Sequence, residues 1–170
     1  KESVILGFSE APKTRYIYAN RQYPDCLWYF WDGGKSVHEP IGSSAITGFI
    51  EKVEIEDKEF RGKKDPKFNV YIRVSDRSYV IQSGAETLFA KGLMFTLSKL
   101  PVEAFAKPIM IAVEAGEEAV KTARDPKALE NAVFARVYNP ATGALVFAPY
   151  GDDVNWGDVF VKLQNKLGAK

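Results

Sequence analysis

The chain has 170 residues and 46% hydrophobic content, enough for one ordinary core or two small fused ones. Its 23 Lys and Arg balance 22 Asp and Glu to a net charge of +1, so no whole-molecule field attracts a polyanion and any nucleic-acid site must rest on local charge. A single cysteine, Cys26, excludes an internal disulfide and reads as a small buried apolar residue, and no apolar run is long enough to span a bilayer.

In chain order, residues 1 to 45 are rich in aromatics and turn formers. Val4-Ile5-Leu6, Arg15-Tyr16-Ile17-Tyr18 and Leu27-Trp28-Tyr29-Phe30-Trp31 read as two or three short strands. Asp32-Gly33-Gly34 can reverse the chain so that Lys35 to His38 pairs back on the aromatic run. Alternation sends Leu27, Tyr29 and Trp31 to one face and Trp28 and Phe30 to the other. If the second face is open it is an aromatic platform; otherwise the strand is buried on both sides or at a subunit contact.

Residues 46 to 56 form a longer strand in which Phe49, Val53 and Ile55 share a face and Lys52, Glu54 and Glu56 meet water. A turn-rich segment follows, and from Asp57 to Arg77 seven basic residues face four acidic ones, a local excess of only three. In Phe68 to Val74 the apolar residues alternate with Asn69, Tyr71 and Arg73. A turn at Asp76-Arg77 would set Val74 opposite Tyr79 and Ile72 opposite Ile81. Ser83 and Glu86 have capping-box spacing before a helix that Lys99 and Pro101 end. Leu88, Phe89, Leu93, Met94, Phe95, Leu97 and Leu100 surround most of that helix, so either a second layer of this chain or another subunit must cover it.

Pro108 to Glu114 reads as a strand, and residues 116–131 as a charged insertion with Asp125-Pro126 opening a short helix. Val133 to Tyr138 and Ala144 to Phe147 flank a second hairpin turn. The last helix follows Asp152-Asp153, with Trp156, Val159, Phe160, Leu163 and Leu167 on its apolar face, Lys162, Gln164 and Lys166 on its wet face, and Gly168 as its stop.

Val70-Tyr71-Ile72-Arg73-Val74 and Val133-Phe134-Ala135-Arg136-Val137 share a pattern at an offset of 63, and each is followed by a reversing strand and a helix. The expected fold is α+β, with curved antiparallel sheets followed by helices in two strand-strand-strand(-strand)-helix units. The chain then forms a single domain over 1–170, divisible into pseudo-repeats 1–101 and 108–170; an oligonucleotide-binding barrel is the alternative. Thr47-Gly48-Phe49-Ile50 through Phe60-Arg61-Gly62-Lys63, Tyr79 to Gly84 and Phe89 to Leu93 resemble the single-stranded-DNA-binding superfamily of the Whirly and transcriptional-coactivator proteins, and small cyanobacterial proteins of that fold. The plant Whirly lysine-glycine-lysine signature is absent, with Arg61-Gly62-Lys63-Lys64 as a loose analogue. The resemblance implies four antiparallel strands before a helix, helices exchanged between two units, and strand faces that hold unpaired bases.

His38 is the sole histidine and no phosphate-cradling glycine motif is present, so neither catalysis nor a metal or cofactor is expected. Flat rings and cations on the solvent side of a sheet suit a flexible single strand. The candidate nucleic-acid-binding residues are Tyr71, Arg73, Phe134, Arg136, Arg61, Lys63, Lys64, Lys67 and Trp28. The expected partners are single-stranded nucleic acid, DNA rather than RNA, and further copies of the chain, with no membrane. The alternative is a structural or protein-interaction module that oligomerises through its apolar helix. A cytoplasmic location is expected, with nucleoid association as an option; the chain begins with Lys1, which leaves room for a removed targeting leader.

Overall fold

The computed structural model describes residues 6–8, 14–19, 26–32, 34–115, 133–146, 148–151 and 153–169. The expected strand at Val4 and Ile5 and the expected insertion over 116–131 lie outside them. The fold is α+β. Among the described residues the strands are β1 (Arg15–Ala19), β2 (Trp28–Asp32), β3 (Val37–Pro40), β4 (Ala45–Glu56), β5 (Glu59–Phe60), β6 (Lys63–Lys64), β7 (Lys67–Val74), β8 (Arg77–Gly84), β9 (Ile109–Ala115), β10 (Val133–Tyr138) and β11 (Leu145–Val146). Among the described residues the helices are α1 (Leu88–Ser98), a short 3-10 helix (Val102–Ala106) and α2 (Trp156–Ala169). No helix among the described residues is long and apolar enough to cross a membrane.

Nine strands form one sheet in the order β11-β10-β9-β4-β7-β8-β1-β2-β3, with β5 and β6 a separate small ribbon between β4 and β7. The sheet is mixed rather than wholly antiparallel, because β1 pairs parallel with β8. Around the junction of β4 and β9 the order reads β8-β7-β4 on one side and β9-β10-β11 on the other. The helices cross that junction: α1 follows β8 yet packs on β10, and α2 follows β11 yet packs on β4 and α1.

One sheet face carries the core. Ile50, Phe68, Val70, Ile72, Ile81, Ile111 and Val133 are fully buried there against Phe89, Leu93 and Leu97 of α1 and Leu163 of α2. Phe68 meets Phe160 of α2 edge-on at 6.4 Å between ring centroids. The apolar surround of α1, apart from the exposed Leu88, is thus covered largely by a second layer of this same chain.

Five local expectations are corrected. The β7–β8 turn is Ser75-Asp76, with Ser75 at φ 56°, so Val74 lies opposite Arg77 and Ile72 opposite Tyr79. The slip is two residues, which leaves every side chain on its expected face. In β4 the register shifts between Ile50 and Lys52, so Phe49 faces away from Val53 and Ile55, and Ile50 takes the core. Ser83 stays in β8 opposite Phe68, and the α1 N-cap is Thr87, whose hydroxyl accepts from the Ala90 N–H at 3.3 Å. Finally, Gly168 lies inside α2, and Lys166 is not on a wet face.

The Lys166 ammonium donates to the carbonyls of Ser98 at 2.6 Å and Leu100 at 2.7 Å, occupying acceptors that the end of α1 leaves unpaired. Burial lowers its pKa, and the neighbouring Lys162 and Lys99 add to the effect. Lys166→Met keeps the aliphatic stem and strands both carbonyls. The expected loss is about 1–3 kcal/mol in urea unfolding, the usual cost of orphaned acceptors and lost charged hydrogen bonds; an unchanged midpoint would show that water satisfies these groups.

Candidate nucleic-acid interface

The second face of the sheet bears no helix among the described residues. Strand alternation and register decide what it presents. In β7 the residues between the core positions are Asn69, Tyr71 and Arg73; in β8 they are Ser78, Val80 and Gln82. The parallel register sets Tyr16 beside Val80 and Tyr18 beside Gln82. Antiparallel β2 then sets Trp31 level with Tyr16 and Tyr29 opposite Tyr18, and β3 brings His38 opposite Trp31 and Pro40 opposite Tyr29. Two rows therefore cross six strands, one reading Lys52, Tyr71, Val80, Tyr16, Trp31, His38 and the other Glu54, Asn69, Gln82, Tyr18, Tyr29, Pro40. At the usual strand spacing each row is about 24 Å long.

The rings form a connected set. Tyr16 stacks on Tyr18 at 6.4 Å, Tyr18 meets Tyr29 at 5.6 Å, and Tyr29 meets His38 edge-on at 5.9 Å. Tyr16 and Trp31 are the accessible ones, 36% and 45% exposed, whereas Tyr29 is buried, as is Val80 between Tyr71 and Tyr16. Asn69 and Gln82 are also buried, and hydrogen bonds account for them: Gln82 Nε2 donates to Asn69 Oδ1 at 3.0 Å and Asn69 Nδ2 to Glu56 Oε2 at 3.1 Å.

Tyr71 anchors one end. Its hydroxyl donates to Glu54 Oε2 at 3.1 Å, Lys52 Nζ donates to Glu54 Oε1 at 3.0 Å, and the same ammonium lies 4.4 Å from the Tyr71 ring centroid. Hydrogen bonds from Lys52 first and Tyr71 second hold the Glu54 carboxyl below its usual range. Burial, then the Glu54 carboxylate, and then the nearby Tyr16 hydroxyl push the Tyr71 phenol up to about 12. A phenol raised in the folded state stabilises it while protonated. That contribution is therefore intact below pH 10 and is lost as pH rises from 10.0 to about 12. Alkaline unfolding of Tyr71→Phe is expected to lack this slope; a wild-type Tyr71 that titrates with solvent-exposed phenols would contradict the arrangement.

The candidates separate into groups. Tyr71 and Arg73 lie on the face opposite the core, as expected, and both are half-buried, Arg73 over the Phe49 ring at 5.0 Å and donating to the Ser75 carbonyl at 3.1 Å. Phe134 and Arg136 share that face but not that place, because Arg136 lies level with Ala112 and Ala45, seven residues before Lys52 along β4. Arg136 is held by Glu114 at 3.0 Å, which also accepts from the Tyr138 hydroxyl at 3.4 Å. Arg61, Lys63 and Lys64 are exposed on the β5–β6 ribbon, whose turn places Arg61 and Gly62 at φ 53° and 78°. Lys67 pairs with Asp65 at 2.9 Å.

Trp28 does not belong with them. It is 2% exposed on the core side, opposite Ala19, with its indole N–H on the Ser43 carbonyl at 2.7 Å. The outward pair of β2 is Tyr29 and Trp31. Sequence reasoning also passed over Tyr16, Tyr18 and Glu54. Their signal was present in the alternation Tyr16-Ile17-Tyr18, where a single apolar residue is flanked by two rings of amphipathic type.

Among the described residues no group of three His, Cys, Asp or Glu side chains is placed to hold a metal ion. The fold and site define an α+β chain with one aromatic, nearly charge-balanced sheet face. Comparison with protein-family models, curated proteins and solved structures finds no match to this chain.

Proposed function

We propose that the protein binds single-stranded nucleic acid, DNA rather than RNA, without chemistry, by stacking bases across the open sheet face. The observation that carries this reading is the transverse row in which Tyr71, Tyr16 and Trp31 share one level over four strands, with Tyr16 and Trp31 accessible. Every base has a π-face, so such a row accepts successive bases irrespective of sequence. The helix exchange across the β4–β9 junction supports the likeness to the Whirly-type superfamily, whose units also exchange helices. On this reading the protein acts in the cytoplasm.

Charge enters as a minor partner. Lys52, Lys67 and Arg136 are each paired with a carboxylate, so few counterions would be released from phosphate by this face. The test is titration of a fluorescent single-stranded oligonucleotide at two salt concentrations, with duplex as the comparison. Binding of the single strand that weakens only moderately with salt is expected. No binding at low salt would end the proposal, and sizing chromatography would then show whether the Tyr16 and Trp31 surface instead joins copies of the chain.

A further inference from the structure

Resting on that reading, we infer that Glu54 reads the bases laid across the row, accepting a hydrogen bond from an exocyclic amino group and so favouring cytosine over thymine. Glu54 occupies the position next to the ring row, on the strand adjacent to Tyr71. It accepts one bond on each oxygen, from Lys52 at 3.0 Å and from Tyr71 at 3.1 Å, and its side chain is 44% exposed. An ionised carboxylate has about four acceptor positions and no donor. Two of them therefore remain on Glu54 for a ligand, and they can receive only an N–H or O–H.

The two anchoring bonds matter because they fix the carboxylate beside the rings instead of leaving it to sweep through solvent. The Lys52 ammonium is already bound by the Glu54 carboxylate, which makes it a poor seat for phosphate, so a strand lying here turns its bases inward. A pyrimidine next to Glu54 then offers different atoms at one position. Cytosine presents the N4 amino group, a donor, whereas thymine presents the O4 carbonyl, an acceptor facing an acceptor-only group. The two bases stack similarly, so the comparison isolates the polar edge.

The experiment measures affinities of wild type, Glu54→Gln and Lys52→Met for oligo-dC and oligo-dT of equal length, with thermal melts to show that each variant is folded. Wild type is expected to prefer oligo-dC by about tenfold, the lower end of a base-reading contact. Glu54→Gln, which can donate as well as accept, is expected to bring the two within about twofold. Lys52→Met keeps the carboxylate but removes one of its two anchors, and is expected to lower the preference for dC without abolishing it. Equal binding of dC and dT by wild type, or a preference that survives in Glu54→Gln, overturns the role of Glu54 and leaves the stacking face standing. Failure of both oligonucleotides to bind wild type overturns the stacking face itself.

Discussion

Gly48→Ala is expected to destabilise the fold by about 3 kcal/mol or more, the upper range of overpacking. A methyl group there would lie 2.5 Å from the Arg73 carbonyl oxygen, 2.9 Å from Ile72 Cγ1 and 3.0 Å from Val74 Cγ2. The nearest obstacle is backbone, and it cannot swing aside as a side chain would. Gly48 also sits where β4 changes neighbours, pairing with Ile109 of β9 while the next residue, Phe49, pairs with Arg73 of β7. Retreat of Arg73 from the added methyl group would open the β4–β7 ladder at its first pair. Urea unfolding measures the effect, with Gly92→Ala as the comparison. Gly92 lies inside α1 with nothing within 4 Å of an added methyl group, so alanine there is expected to stabilise by up to about 1 kcal/mol through helix propensity. Equal stability of Gly48→Ala and wild type would refute the close strand crossing.

Replacing both accessible rings, Tyr16→Ala with Trp31→Ala, is expected to remove most single-strand affinity. Loss of a stacking ring costs about 1–3 kcal/mol per base, so the pair should weaken binding by at least about thirtyfold. Both side chains are on the outward face, with 36% and 45% of their surface exposed, and neither belongs to the main core cluster. The double variant should therefore melt close to wild type, which separates loss of binding from loss of fold. Tyr71→Ala with Arg73→Ala should also weaken binding, but it removes the hydroxyl that holds Glu54 and the guanidinium over Phe49, so part of its effect is positional. A Tyr16 and Trp31 double variant that binds as tightly as wild type would remove the aromatic row from the interface.

The placement of Tyr71 and Arg73 was legible because a strand alternates its faces residue by residue, and the β7 pattern is unbroken. The same rule divided the β2 aromatics into two sets but could not say which set faces the core. Trp28 is buried and Trp31 exposed because β1 and β8 lie beside β2 in one sheet, with the inward positions aligned as Ile17, Phe30 and Ile81. Alternation failed in β4 for a local reason, since the irregularity at Glu51 moves Phe49 across the sheet, and Gly48, the one glycine of the strand, precedes it by three residues and does not fix its place. The Ser83 cap failed because pairing with Phe68 prolonged β8 past a residue that would otherwise start a helix. That extension leaves the Ser83 hydroxyl buried without a partner.

The amino-acid sequence by itself determined the α+β class, the inward and outward sets of β7 and β8, and the two amphipathic or apolar helices, because each of these follows from periodicity within a few residues. Only the tertiary structure decided that β1 runs parallel beside β8 and that the helices cross between the two halves. It also decided that Tyr16, Trp31 and Tyr71 fall in one line while Phe134 and Arg136 lie elsewhere. The physical reason is that alignment across strands depends on which distant segments pair and in what register, and no single strand carries that information in its own alternation.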